Sequence, residues 1–339
     1  MVRGPDGSLV AARPEFPSEA PPRVRPVVKV SVGLPRPIEG AEYAAAQALE
    51  DIVVAIERAG LHGCHVSDHP CPVVDADGRP RHVLDPFLTL AYITRATSRL
   101  VLHTNLVILP YRNPLLTASM VATLQHLAGG RLVLGVGAGY LASEAAALGS
   151  HYGKRNDLVE EAIGVLTEVW SGAPLSRGGL HWTASGNSIV HFPGDPRPPV
   201  WMGGNSRAAM NRAVRFCEGW IPAETPGSSA TRMSTASIST IDELHGKICQ
   251  LHAMRTDQGR TGPFEICFHR DAHWLSSPPD VLMRDMHAMH DAGVTWVAGR
   301  FDTGGMRSRR ELLDRIAIVG ELLHGFSVPQ SGVGPGRPS

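Results

Sequence analysis

Residues 100–137 read LVLHTNLVILPYRNPLLTASMVATLQHLAGGRLVLGVG. An apolar, β-branched run (Leu100–Leu109) leads into an amphipathic stretch, Pro114–Leu127, and then into a second short apolar run, Leu132–Val136. Runs of this kind suit parallel strands buried on both faces, and the helix-length crossover between them makes a βαβ unit. Working outward, the same strand pattern recurs upstream at Val27–Val32 and His62–Ser67, and downstream at Val200–Gly203, Gly219–Pro222, Phe264–His269 and Val294–Ala298. Helical stretches accompany them at Glu42–Ala59, Asp85–Thr97, Ser143 onward into Leu158–Trp170, Ser206–Cys217, Ile241–Arg255, Pro279–Ala292 and Ser308–Leu323. Gly60 stands where a left-handed helix end is wanted, and Asp85-Pro86 pairs an N-cap with proline at the first helical position. Each strand therefore has its helix. An open doubly wound sheet would leave the last three units as a separate domain with no linker to mark it, so the pattern predicts an α/β (β/α)8 TIM barrel over residues 26–326.

Two segments exceed the minimal repeat. Residues 173–198 (APLSRGGLHWTASGNSIVHFPGDPRP) form a turn-rich insertion after the fourth helix, predicted to contain a short hairpin. Residues 224–240 (ETPGSSATRMSTASIST) follow the sixth strand, on the face where barrel enzymes gather their catalytic loops, and are a candidate lid. Residues 1–25 and the tail 327–339 lack an apolar period and are expected to be a disordered N-terminal extension and a flexible C-terminal tail.

Composition narrows the partners. Lys+Arg and Asp+Glu are both 32, so the formal net charge is zero and there is no basic footprint for nucleic acid or an anionic membrane. No apolar run is long enough to span a bilayer and no secretion signal is visible, so a cytoplasmic protein acting on a small molecule is expected. The five cysteines (Cys64, Cys71, Cys217, Cys249, Cys267) show neither C-x-x-C spacing nor a zinc pattern and read as free thiols. His65/His69 and His269/His273 are four residues apart, but that spacing aligns ligands only on a helix, and both pairs sit at strand ends; no metal is expected.

Polar residues interrupt the strands at their C-terminal ends. Ser67-Asp68-His69-Pro70 places a carboxylate beside an imidazole that titrates near neutrality, a pair suited to proton transfer or to turn formation. His103-Thr104-Asn105 breaks a run otherwise buried on both faces, so Thr104 and Asn105 either line the barrel mouth or are satisfied internally. Gly135-Val136-Gly137-Ala138-Gly139-Tyr140 lets backbone approach a ligand closely, although it departs from a dinucleotide fingerprint. Trp201-Met202-Gly203-Gly204-Asn205-Ser206 opens a helix, where N–H groups at a positive helix end donate to a phosphate or only to a capping side chain.

In order and spacing these segments resemble the luciferase-like monooxygenase superfamily: Ser67–Pro70, Thr104–Leu106, Leu109–Pro114, Gly129-Gly130-Arg131, Leu134–Tyr140 with Glu144, Trp201–Ser206 and Glu218-Gly219-Trp220. The resemblance covers residues 27–325 and fits the deazaflavin-dependent branch best. It implies a flavin or deazaflavin across the catalytic face, near the second and third strands, with a non-prolyl cis peptide at Asn105-Leu106. It also implies cofactor binding by Thr104, Asn105, Leu106, Gly137, Ala138, Gly139, Tyr140, Gly203, Gly204, Asn205 and Ser206, the phosphate falling to Gly139, Tyr140 and Gly204–Ser206. His69 would face the ring and Asp68 would orient it. Tyr140 replaces the acid glutamate of the sugar-phosphate dehydrogenase members, which argues against that substrate, and Glu218 replaces the family's usual aspartate.

The expected function is therefore coenzyme F420 (deazaflavin)-dependent hydride transfer to or from a small, largely apolar organic substrate, touched by Trp182, Trp220 and the 224–240 loop. With reduced FMN the same pocket would be an oxygen-using monooxygenase, and a non-catalytic flavin-binding barrel is the remaining reading. The resemblance also implies a homodimer through the helices beside the second and third strands.

Overall fold

A computed structural model describes residues 28–324 apart from 37–40, 43–44, 74–82, 193, 233–234, 271–272, 305 and 307. It adds two antiparallel two-residue strands, Val2–Arg3 and Leu9–Val10. Apart from these, the segments expected at 1–25 and 327–339 lie outside the described residues.

Eight parallel strands close on themselves: β1 (Lys29–Gly33), β2 (Gly63–Val66), β3 (Val101–Thr104), β4 (Leu132–Gly137), β5 (Val200–Gly203), β6 (Gly219–Ile221), β7 (Glu265–His269) and β8 (Trp296–Gly299). Each pairs with its successor, and β8 returns to β1 with Trp296 opposite Lys29 and Gly299 opposite Val32. The run Leu100–Leu109 is not one continuous strand. After Thr104 the chain passes through a cis Asn105-Leu106 peptide and resumes as Val107–Ile108, which pairs with Val136 and Gly137 of β4.

Helices α1 (Ala46–Arg58), α2 (Pro86–Ile93), α3 (Pro114–Leu127), α4 (Ala142–Ala147), α5 (Arg155–Val169), α6 (Arg207–Phe216), α7 (Gly227–Arg232), α8 (Ile241–Asp257), α9 (Pro279–Asp291) and α10 (Arg309–His324) complete the units. Their starts are written in the sequence. Asp85, Asn113, Ser206 and Thr240 each accept a backbone N–H of the first turn, and proline occupies the start of α2 and α3. At the end of α1, Gly60 takes φ +75° while Leu61 N–H reaches back to the Ile56 carbonyl at 3.2 Å, closing the helix. The stretch expected to be helical from Ser143 into Trp170 is two helices, separated by a turn at Gly149-Ser150 that bonds back to Ala146 and Ala145.

Helix faces such as Leu49, Ile52, Val53 and Ile56 of α1 bury against the outer surface of the barrel. Inside it lie Val133, Trp201, Ile221, Cys267, Trp296 and Ala298, packed around the polar residues Ser31, His65 and His103. The 173–198 insertion carries antiparallel bridges Leu175↔Asn187 and Gly178↔Thr183, the expected hairpin contacts. Among the described residues no helix is long and apolar enough to cross a membrane, and no group of three potential metal ligands converges.

Candidate active site

The C-terminal ends of the strands open on a cavity of about 400 Å³, a size typical of small-molecule sites. Its floor depends on glycine. A Cβ on Gly137 or Gly203 would collide with the Leu106 side chain, so these two strand ends leave room for Leu106 beneath the cavity. Gly204, at φ +114°, then turns the chain into α6, whose first turn is capped by the Ser206 hydroxyl.

His69 lines this cavity, and its Nδ1 lies 3.2 Å from Glu144 Oε2. The Glu144 side chain is almost fully buried and also accepts from the Cys71 N–H at 3.2 Å and the Tyr111 hydroxyl at 3.3 Å. With Glu144 accepting from Nδ1–H, Nε2 is the ring nitrogen left for a ligand. Burial and the neighbouring Glu144 push the Tyr111 hydroxyl well above its usual range, so it remains a donor.

Asp68 does not orient His69, contrary to expectation. One carboxylate oxygen accepts from Arg112 at 2.8 Å, the other from Arg112 and from the Ile108 N–H at 2.9 Å, in a bidentate, buried pair. Successive residues of an extended segment point to opposite sides, so neighbours at a strand end take different partners. Asp68 still borders the cavity, as the brace between the end of β2 and the segment after β3.

Asn105, Leu106, Gly137, Ala138, Gly139, Tyr140, Gly203, Gly204, Asn205 and Ser206 all border the cavity as expected. Thr104 is the exception: it is fully buried and its hydroxyl donates to the Gly135 carbonyl at 2.7 Å, the internal satisfaction that was the other reading of this residue. The Asn205 amide is also used internally, accepting from Ala223 N–H at 2.8 Å and donating to the carbonyls of Ala223 and Ala236. It pins the candidate lid to α6, and Thr225 and Thr235 of that segment border the cavity.

Neither tryptophan reaches the cavity. Trp220 is fully buried, with its indole N–H on the Gly204 carbonyl at 2.8 Å; it supports the glycine turn from behind. Trp182 donates to Glu161 at 2.7 Å beside a separate crevice of about 160 Å³.

The residues that the sequence reading missed are mostly cationic. Arg36, Arg155, Arg212 and Arg300 border the cavity beside one acid, Asp68, which Arg112 compensates, while Arg212 is itself paired with Glu160 at 3.1 Å. His269, at the end of β7, is joined through Nδ1 to the Asn105 amide nitrogen at 2.9 Å. Donation by that amide leaves His269 Nε2 as the protonated ring nitrogen. Four arginines scattered over four strand–helix units carry no local motif, whereas Glu144 and His269 stood in segments already singled out, without a sign of their partners.

The family model described as luciferase-like monooxygenase matches residues 29–246. The F420-dependent hydroxymycolic acid dehydrogenase of Mycobacterium tuberculosis is 32% identical over 170 residues, 49% of this chain and 46% of that protein. The chain thus spans about half the length of the curated relatives it matches. Among solved structures, an F420-dependent secondary alcohol dehydrogenase in complex with an F420-acetone adduct superposes with a TM-score of 0.68 at 14% identity, over 87% of this chain and 98% of that one. The oxygenating constituent of 3,6-diketocamphane monooxygenase of Pseudomonas putida, in complex with FMN, gives 0.68 at 14% identity, over 88% and 98%. At such identities the likeness is one of fold.

Proposed function

This chain belongs to the luciferase-like monooxygenase family, and we propose that it is an oxidoreductase using the deazaflavin coenzyme F420 to transfer hydride to or from a small organic carbonyl, alcohol or alkene. The observation that carries this reading is the cavity itself. Its glycine-floored mouth and its bordering arginines, of which Arg212 is held by Glu160, suit a flat, phosphate-bearing cofactor. The F420-dependent names of the relatives favour the deazaflavin over FMN.

In this reading Gly139, Tyr140, Arg155 and Gly204–Ser206 hold the phosphate, and Asn105, Leu106, Gly137 and His269 border the ring. A bound deazaflavin supplies hydride chemistry; FMN would supply oxygen activation. His69 would pass a proton between Nε2 and the substrate oxygen, donating in reduction and accepting in oxidation, while Glu144 fixes the imidazole through Nδ1. Thr104, Trp182 and Trp220 have no part in binding, and Asp68 and Arg112 hold the wall on which His69 stands. The five free cysteines fit a cytoplasmic setting.

Titration of the apoprotein with F420 and with FMN, each oxidised and reduced, tests the assignment through cofactor fluorescence. Tighter binding of F420 is expected. Preference for reduced FMN would make the protein an oxygen-using monooxygenase, binding of neither would remove the cofactor reading, and F420 binding without turnover on any carbonyl, alcohol or alkene would leave a non-catalytic carrier.

A further inference from the structure

Arg300 follows β8 directly and is 9% exposed; it borders the main cavity and, on the side of Leu34, two smaller ones. Its hydrogen-bonding partners are neutral: the Leu34 carbonyl at 3.0 Å and the Ser67 hydroxyl at 2.6 Å. Among the described residues no carboxylate pairs with it. The charged and titratable groups around it are Arg36, His65 and His269, all basic, while Asp68 is engaged by Arg112. A guanidinium removed from water and left without a counter-charge is costly, and such cations are found paired unless a ligand supplies the partner. Burial, reinforced by Arg36, pulls its pKa down to about 10, so it remains charged at neutral pH.

The surroundings are built to hold it there. A Cβ on Gly33 of β1 would lie 2.9 Å from Arg300 Nε and 2.8 Å from His65 Nε2, so the glycine keeps the space this side chain fills. The two bonds to Leu34 and Ser67 orient the planar fork and use two of its five N–H donors. The position is also opposed to the proposed phosphate site: β8 and β1 lie across the eight-stranded barrel from β4 and β5, whose ends carry Gly139 and Gly204–Ser206.

We infer that Arg300 binds a carboxylate of the substrate, so that the molecule turned over is a singly charged organic acid with an apolar body. One buried cation balances the single charge of a carboxylate but not the two of a phosphate, and its planar fork fits the two carboxylate oxygens. This deepens the oxidoreductase reading and rests on it for the word substrate, whereas the anion site itself is tested without turnover.

Octanoate and octanamide, which share a chain and differ in charge, are titrated by calorimetry into the apoprotein and into the F420-loaded protein. Octanoate is expected to bind about ten-fold more tightly or better, as a charged hydrogen bond implies. Arg300→Met should erase that preference and Arg300→Lys should retain part of it. Equal affinities in the wild type, a comparison needing no variant to fold, would overturn the inference, as would a preference that survives Arg300→Met. Octanoate bound by the apoprotein but excluded once F420 is present would give Arg300 to the cofactor and overturn the substrate assignment. Failure of F420 to bind, with the octanoate preference intact, would remove the cofactor reading and leave the anion site standing.

Discussion

At the scale of single residues, Asp68 and His69 are adjacent in sequence and separate in role. Asp68 is locked to Arg112 and the Ile108 N–H, and His69 meets Glu144. Adjacent letters suggested a catalytic pair; the partner that matters stands 75 positions along the chain, a separation no local pattern reveals. The two carboxylates should therefore fail differently. Asp68→Asn leaves Arg112, among the described residues, with only its longer ion pair to Asp85 at 3.6 Å and is expected to cost about 3 kcal/mol of stability, read by urea unfolding. Glu144→Gln should leave the fold in place and lower kcat by about 10–100-fold with KM little changed, because a neutral amide replaces the carboxylate that holds the imidazole. His69→Ala should remove about 10²–10⁴ of the rate. Equal loss of stability in both carboxylate variants, or full activity in His69→Ala, would refute these roles.

Among the elements, α2 and α3 stand apart because their outward faces are apolar. Leu88 is 74% exposed and Leu116 is 60% exposed, with Tyr92 one turn beyond Leu88 and Leu127 at the end of α3 also open. These are the neighbouring helices beside β2 and β3 through which a homodimer was expected, and large apolar side chains exposed on both are what such a contact would cover. Leu88→Glu combined with Leu116→Glu should convert a dimer to a monomer in sedimentation velocity while preserving the far-UV spectrum; an unchanged mass would mean that this face covers nothing. The identity of the eight barrel strands and most of their helices was legible, but the split between α4 and α5 and the short α7 inside the candidate lid were not. Caps and proline positions are local chemistry, and Pro114–Leu127 and Val200–Gly203 were read with their observed limits. The apolar pattern alone ran the third strand on to Leu109, because Leu106 continues the run, whereas the resemblance implied the cis Asn105-Leu106 peptide at which the strand is interrupted.

Over the whole molecule, the barrel interior is unusually polar. His65 Nδ1 and His103 Nε2 share the Ser31 hydroxyl at 3.1 and 2.6 Å, and Trp201 and Trp296 pack against His103. Burial holds His103 down at about 3 and His62, at the foot of β2, at about 4; His65 is also well below its ordinary value. Since these bases protonate less readily in the fold than in the unfolded chain, the unfolded state takes up more protons below about pH 6.5. Stability is therefore complete above that pH and falls as pH drops toward 4, by up to about 1.4 kcal/mol per pH unit for each histidine. Urea unfolding at pH 7.5, 5.5 and 4.5 checks this, and His103→Gln should flatten the slope; a slope unchanged by the substitution would assign acid sensitivity elsewhere. The sequence by itself determined the eight-unit barrel, its helix starts and the glycine-rich strand ends, because these follow from periodicity, capping and backbone freedom within a few residues of one another. Only the tertiary structure decided that Glu144 serves His69, that Thr104, Trp182 and Trp220 face elsewhere, and that four arginines share one cavity. Closing the sheet brings together strand ends far apart in the chain, and burial and charge pairing are properties of that closure.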